Sequence, residues 1–233
     1  ISGTSYSLKL DAALSWTKYG ITVIGIAAPT GFFGRARIWT DTSMASLITV
    51  SGQNNRFINL TISQEGSVNT NIRNVIVTGN RNTFENCHLN LTHATPAAVA
   101  LASTLDLRSS ECKFIDCTFG SNSTTWAAAT NAQIVFSTTQ QGQNLFEKCR
   151  IISKSSTAGH GGVLISGGTT MNGWTVFRNC QFMNFAAAGG AVTSIATVFT
   201  GDGQTDAGIL LTPDCTAVGW AAWSVLASKV YIS

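Results

Sequence analysis

The sequence predicts an all-β fold, a single-stranded right-handed parallel β-helix (a solenoid) of about seven to eight coils with a short N-terminal capping segment. Three observations predict it: a motif of the form Phe-x-Asn-Cys-x-(Ile/Leu/Phe) recurs along the chain, its spacing drifts while its content holds, and the composition is that of strands and turns. Hydrophobic residues make up 44% of the 233 residues and charged residues only 11%, well below the usual quarter, so surface helices rich in Glu, Lys and Arg are disfavoured.

The repeat carries most of the weight. Its copies are Phe57-Ile58-Asn59-Leu60-Thr61-Ile62, Phe84-Glu85-Asn86-Cys87-His88-Leu89 and Phe114-Ile115-Asp116-Cys117-Thr118-Phe119. Phe146-Glu147-Lys148-Cys149-Arg150-Ile151 and Phe177-Arg178-Asn179-Cys180-Gln181-Phe182 follow, with a degenerate copy over Leu211-Thr212-Pro213-Asp214-Cys215-Thr216-Ala217. The intervals between fourth positions are 27, 30, 32, 31 and 35 residues, as expected of stacked coils whose loops vary in length.

Parity within the motif gives its geometry. Side chains alternate along a strand, so Cys87 and Leu89 share a face, whereas Phe84 has the wrong parity to join them on one straight strand. A bend at Glu85-Asn86 brings all three inward. Asn and Asp tolerate the left-handed backbone that such a bend needs, and position three is Asn59, Asn86, Asp116, Asn179 or Asp214, with Lys148 the exception. Stacked Asn side chains at these corners are expected to form a hydrogen-bonded ladder.

Further strands are expected at Val75–Val77, Leu105–Leu107, Ile134–Phe136, Val163–Ile165 and Thr197–Phe199. Ile21–Ile26 and Leu47–Val50 read as two less regular opening coils. Residues 8–19 carry a short helical pattern through Leu10, Leu14 and Trp16, which predicts a cap over the first coil. The expected division is a cap over 1–20 and a solenoid over 21–233. A chain that opens at Ile1 rather than Met fits a processed protein or the ordered part of a longer one.

Several function classes are disfavoured. A formal charge of +3 with scattered basic residues gives no nucleic-acid footprint, and no apolar run approaches a membrane span. Five of the six cysteines (Cys87, Cys117, Cys149, Cys180 and Cys215) occupy one repeat position, which predicts a ladder of free buried thiols and suits a reducing cytoplasm. Cys112 falls outside that ladder. No spacing suggests a metal site, and no cofactor is expected.

Many parallel β-helices cleave polysaccharides, using carboxylate pairs or calcium held by carboxylates beside an Arg. Of the 11 acidic residues, Asp116 and Asp214 are taken by corners. Glu85 and Glu147 sit at the exposed corner position two coils apart, separated by Ile115, roughly 10 Å by strand spacing, a separation open to an inverting pair. Gly201–Asp206 resembles a fragment of a calcium loop. His160, in a Gly-rich turn, is a candidate base without a partner. Trp126, Trp174, Trp220 and Trp223 are candidates for stacking on sugars or for closing the last coil. None of these sets meets the requirements of a site, so no catalytic, cofactor-binding or metal-binding residue is assigned.

The run Gly25-Ile26-Ala27-Ala28-Pro29-Thr30-Gly31-Phe32-Phe33-Gly34-Arg35-Ala36-Arg37-Ile38, the Ile48–Gly52 segment, the Phe-x-Asn corners and the closing Gly208–Trp223 stretch resemble β-helical structural proteins of tailed bacteriophage particles. The resemblance implies a non-enzymatic virion protein, a capsid decoration (cement) protein or head fibre. Its partners would be the major capsid protein and sister copies, a homotrimer among the arrangements, with neither nucleic acid nor membrane. A tailspike-type host-polysaccharide binder or depolymerase and a pectate-lyase-like enzyme are the alternative expectations. The apolar stretches Ala186–Gly190 and Trp126–Ala129 are expected either to dock on partners or to fold back on the coil flank.

Overall fold

The computed structural model describes residues 7–26, 36–42, 44–65, 73–92, 97–128, 130–137, 142–155, 157–166, 169, 171, 173–186, 197–201, 208–224 and 230–232. They form a parallel β-solenoid of three eight-stranded sheets, and no helix is among its elements. Successive strands visit sheets A, B and C in turn, so each strand pairs with those three before and three after it. One coil consists of Leu60–Gln64 in sheet A, Arg73–Val77 in sheet B and Thr83–Glu85 in sheet C. His88–Leu91 then returns to sheet A in register on Leu60–Gln64.

The motif is the junction between sheets C and A. Asn59, Asn86, Asp116, Lys148 and Asn179 all take a left-handed backbone, with φ between 50° and 57°. That single residue turns the chain, and the ladder crosses the corner unbroken: Asn86 N–H donates to Ile115 O (2.9 Å), and Thr118 N–H to Cys87 O (2.9 Å). Of the expected Asn side-chain ladder, the link from Asn86 Nδ2 to Asn59 Oδ1 (3.3 Å) forms. Asp214 does not share the left-handed turn; the last copy makes a wider turn through Pro213-Asp214.

Inside the corner the phenylalanines stack. Phe57, Phe84, Phe114, Phe146 and Phe177 lie nearly parallel with ring centroids 4.6–5.1 Å apart, and Trp16 packs edge-on against Phe57 at 5.6 Å. Such pairs add about 0.5–1.5 kcal/mol beyond burial. The six cysteines are free thiols. The five motif thiols each reach the carbonyl of the Phe one coil earlier, as in Cys149 Sγ to Phe114 O (3.3 Å). Burial pushes the Cys149 and Cys112 thiols up, so they behave as packed apolar groups rather than nucleophiles.

Cys112 has a position of its own. A second polar ladder runs at the turn into sheet C, two residues before each Phe: Asn55 N–H donates to Asn82 Oδ1 (2.9 Å) and Cys112 N–H to Asn144 Oδ1 (2.9 Å). Cys112 stands where the neighbouring coils have Asn. The turn is tight enough that a Cβ on Gly79 would lie 2.0 Å from Gly52 O, so only glycine allows the coil spacing there.

The opening coils differ from expectation. In place of a helix over 8–19, Ser7–Lys9 and Leu14–Trp16 are strands at the outer edges of sheets A and B, and Thr22–Ile24 is the edge of sheet C. Leu10 N–H donates to Trp39 O (2.8 Å), extending the ladder of the next coil. Parallel pairing to an existing sheet satisfies more backbone than an isolated short helix would.

The outer face of sheet B is buried along its middle strands. Asp106, fully buried there, meets Arg73, Arg108 (2.7 Å) and the Ser137 hydroxyl, which compensate its charge. Beside that face, Trp126, His160 and Trp220 form a short aromatic column, with centroids 5.6 and 6.2 Å apart.

Candidate functional site

Three rows of side chains run side by side along the outside of the C–A corner. The ends of the sheet C strands align Ile58, Glu85, Ile115, Glu147 and Arg178. The left-handed corner residues form the second row. The first outward residues of sheet A, Thr61, His88, Thr118, Arg150 and Gln181, form the third. Across three coils these rows enclose an open cleft of about 390 Å³, lined by Glu85, Asn86, Asp116, Cys117, Thr118, Lys148 and Arg150. Its size suits a small ligand, but its lining is polar where drug-like pockets are mostly apolar.

The charges are not distributed evenly. Register confirms that Glu85 and Glu147 flank Ile115, two strands apart. Each is held by an arginine on the far side from the other: Glu85 by Arg56 of the preceding coil, Glu147 by Arg178 of the following coil (3.7 Å). The two carboxylates are therefore each engaged in an ion pair, with partners on opposite sides along the axis. Of the seven described arginines, six pair with a carboxylate, and Arg150 is the exception. Lys148 and Asp116 likewise make no ion pair among the described residues, and all three are exposed.

Lys148 adds a second irregularity. A lysine at φ 54° occupies a backbone region that Asn and Asp tolerate far better. Non-glycine strain of this kind concentrates at functional positions. Lys148→Asn is expected to stabilise the fold by about 1 kcal/mol, raising Tm by roughly 2–4 °C in thermal unfolding. A fall in Tm would mean that Lys148 makes a contribution to the fold that its geometry does not reveal.

No protein-family model and no curated protein matches the sequence. Among solved structures the chain is similar to the tailspike protein gp49 of Acinetobacter baumannii bacteriophage Fri1, a capsular polysaccharide depolymerase. The identity is 12% and the TM-score 0.44, over 94% of this chain and 41% of that one. The chain thus spans less than half the length of that tailspike.

The remaining candidates lie elsewhere. His160 is fully buried, not in an open turn. Asn131 Nδ2 donates to Ala97 O (2.6 Å), so its Oδ1 accepts from His160 Nδ1 at 2.6 Å, which leaves the imidazole Nε2 as a bare acceptor in the interior. It cannot serve as a base for a ligand on the surface. Trp126 is also fully buried and unavailable to a sugar, whereas Trp174 is half exposed on sheet C, away from the cleft. Trp223 packs edge-on against Phe182 (5.7 Å) and Trp220 against His160, so both help to close the last coils. Residues 202–206 of the calcium-loop-like segment, 187–190 of the alanine-rich stretch and 27–35 of the opening run lie outside the described residues. Among the described residues no group of three or more His, Cys, Asp or Glu could hold a metal ion.

Proposed function

We propose that this chain is the β-helical body of a bacteriophage particle protein that recognises host-surface polysaccharide, in the manner of a tailspike, through the cleft at the C–A corner. The observation that carries this reading is the cleft itself: polar, open, built on a rigid corner, and lined in part by Asp116, Lys148 and Arg150, which make no ion pair among the described residues. A rigid array of hydroxyl-compatible donors and acceptors along a solenoid suits a hydrophilic chain laid along its axis. The reading is one of binding rather than cleavage. A hydrolytic pair needs two carboxylates acting on one bond, and Glu85 and Glu147 are engaged by arginines on opposite sides. The phage setting and a place in the virion rest on the resemblance of the corner and opening motifs to particle proteins.

A second reading keeps the decoration or head-fibre role, with capsid protein and sister copies as partners. What favours it is the first coil, where Leu8 (56% exposed), Ile24 (57%) and Ile26 (88%) stand out beside strand edges with no further neighbour among the described residues. Incubating the purified chain with capsular polysaccharide of a susceptible host separates the readings. Retention on the polysaccharide without release of reducing ends is the expected result. Release of oligosaccharide would replace binding by depolymerisation, and absence of retention together with binding to purified capsids would favour the decoration role.

A further inference from the structure

The cleft has a polarity that narrows what it can hold. Along the axis it runs from Glu85 and Asn86, through Asp116 and Thr118, to Lys148 and Arg150, one pair from each of three coils. Elsewhere among the described residues arginines are matched with carboxylates; here a guanidinium and an ammonium two residues apart face the same opening unmatched. The ammonium sits at a corner that every other left-handed copy of the motif gives to Asn or Asp. Asp116, one coil away and exposed, forms no ion pair with either cation.

We infer that Lys148 and Arg150 form the subsite for the carboxylate of an acidic sugar, so that the ligand of the cleft is a uronic-acid-containing oligosaccharide. A planar guanidinium takes a carboxylate through two parallel hydrogen bonds, and the neighbouring ammonium adds a point charge. Asp116, Asn86 and the Thr118 hydroxyl supply acceptors and donors for the sugar hydroxyls on the adjoining unit. Asp116, exposed and without an ion pair among the described residues, repels a second carboxylate on the adjoining unit, so the arrangement selects a chain in which charged and neutral sugars alternate over one that is charged at every unit. This inference rests on the polysaccharide-binding reading and deepens it.

The test uses the full chain against a panel of bacterial capsular oligosaccharides with and without a uronic acid, read by calorimetry or on an array. Binding confined to the acidic members, weakening as sodium chloride rises, is expected. Lys148→Asn combined with Arg150→Ala is expected to reduce affinity by about tenfold or more. Because Lys148→Asn restores the residue the corner prefers, thermal unfolding of the variant separates lost binding from lost folding. Equal binding of neutral members, or an unchanged affinity in the variant, overturns this inference and leaves the polysaccharide reading standing. Binding of no member overturns both.

Discussion

Phe146→Ala is expected to destabilise the protein by about 3–5 kcal/mol, measured as the midpoint of urea unfolding. Phe146 is fully buried at the centre of the stack, between Phe114 (4.7 Å) and Phe177 (4.6 Å), with Phe119 (5.9 Å) and Phe136 (6.4 Å) edge-on around it. Truncation removes the ring's burial and leaves a cavity that rigid coils on both sides cannot close. In a solenoid each coil contacts only its neighbours, so the loss falls on one interface, and the unfolding transition is expected to broaden as the two halves uncouple. A cost near 1 kcal/mol would mean that the stack is ornamental and that the backbone ladder alone holds the coils in register.

Acid is expected to weaken the fold well above the pH at which exposed carboxylates titrate. Burial holds the His160 imidazole down at about 3, against about 6.5 in an unfolded chain. Between those values the unfolded chain binds a proton that the folded chain refuses. The stability contributed by neutral His160 is therefore complete above pH ~6.5 and drains away as pH falls towards 3, at roughly 1.4 kcal/mol per unit. From pH 6.5 to 4.5 the loss is about 2 kcal/mol. The described groups around the ring, Asn131, Trp126 and Trp220, do not titrate in this window. The carboxyls of Asp41, Glu111 and Asp214, held low by bonds from Lys9, Arg81 and Thr212, act only at lower pH. His160→Phe keeps a ring in the column and cannot take the proton, so its stability should be flat over the same window. A wild-type profile equally flat would place His160 in contact with solvent.

The architecture was legible where the sequence repeats and obscure where it does not. The parity conflict between Phe84 and Cys87 has only one cheap resolution, a left-handed residue between strands, and all five copies from Asn59 to Asn179 adopt it. The sheet B strands announce themselves as short β-branched and leucine runs, and Val75, Leu105, Ile134 and Val163 stack in register. The opening segment misleads because Leu10 and Leu14 have helical spacing across a bend, while Leu14 and Trp16 alternate as a strand does. In a stretch that short, periodicity cannot decide; the neighbouring coil does, by offering its unpaired edge. Cys112 read as an anomaly because its relatives in the second ladder, Asn55, Asn82 and Asn144, belong to no motif until the coils are stacked. Lys148 was visible as the one departure from Asn or Asp at the corner. Its meaning appears only once the fold sets it beside Arg150 and shows that nothing in the described chain neutralises either.

Recognition at the C–A corner is read out by amide chemical-shift mapping with a bound oligosaccharide. Perturbations are expected to concentrate at Glu85–Asn86, Asp116–Thr118 and Lys148–Arg150, three patches far apart in sequence and adjacent on consecutive coils. Perturbations centred on the first-coil edge around Leu8 and Ile24, or on Trp174, with the corner silent, would contradict recognition there.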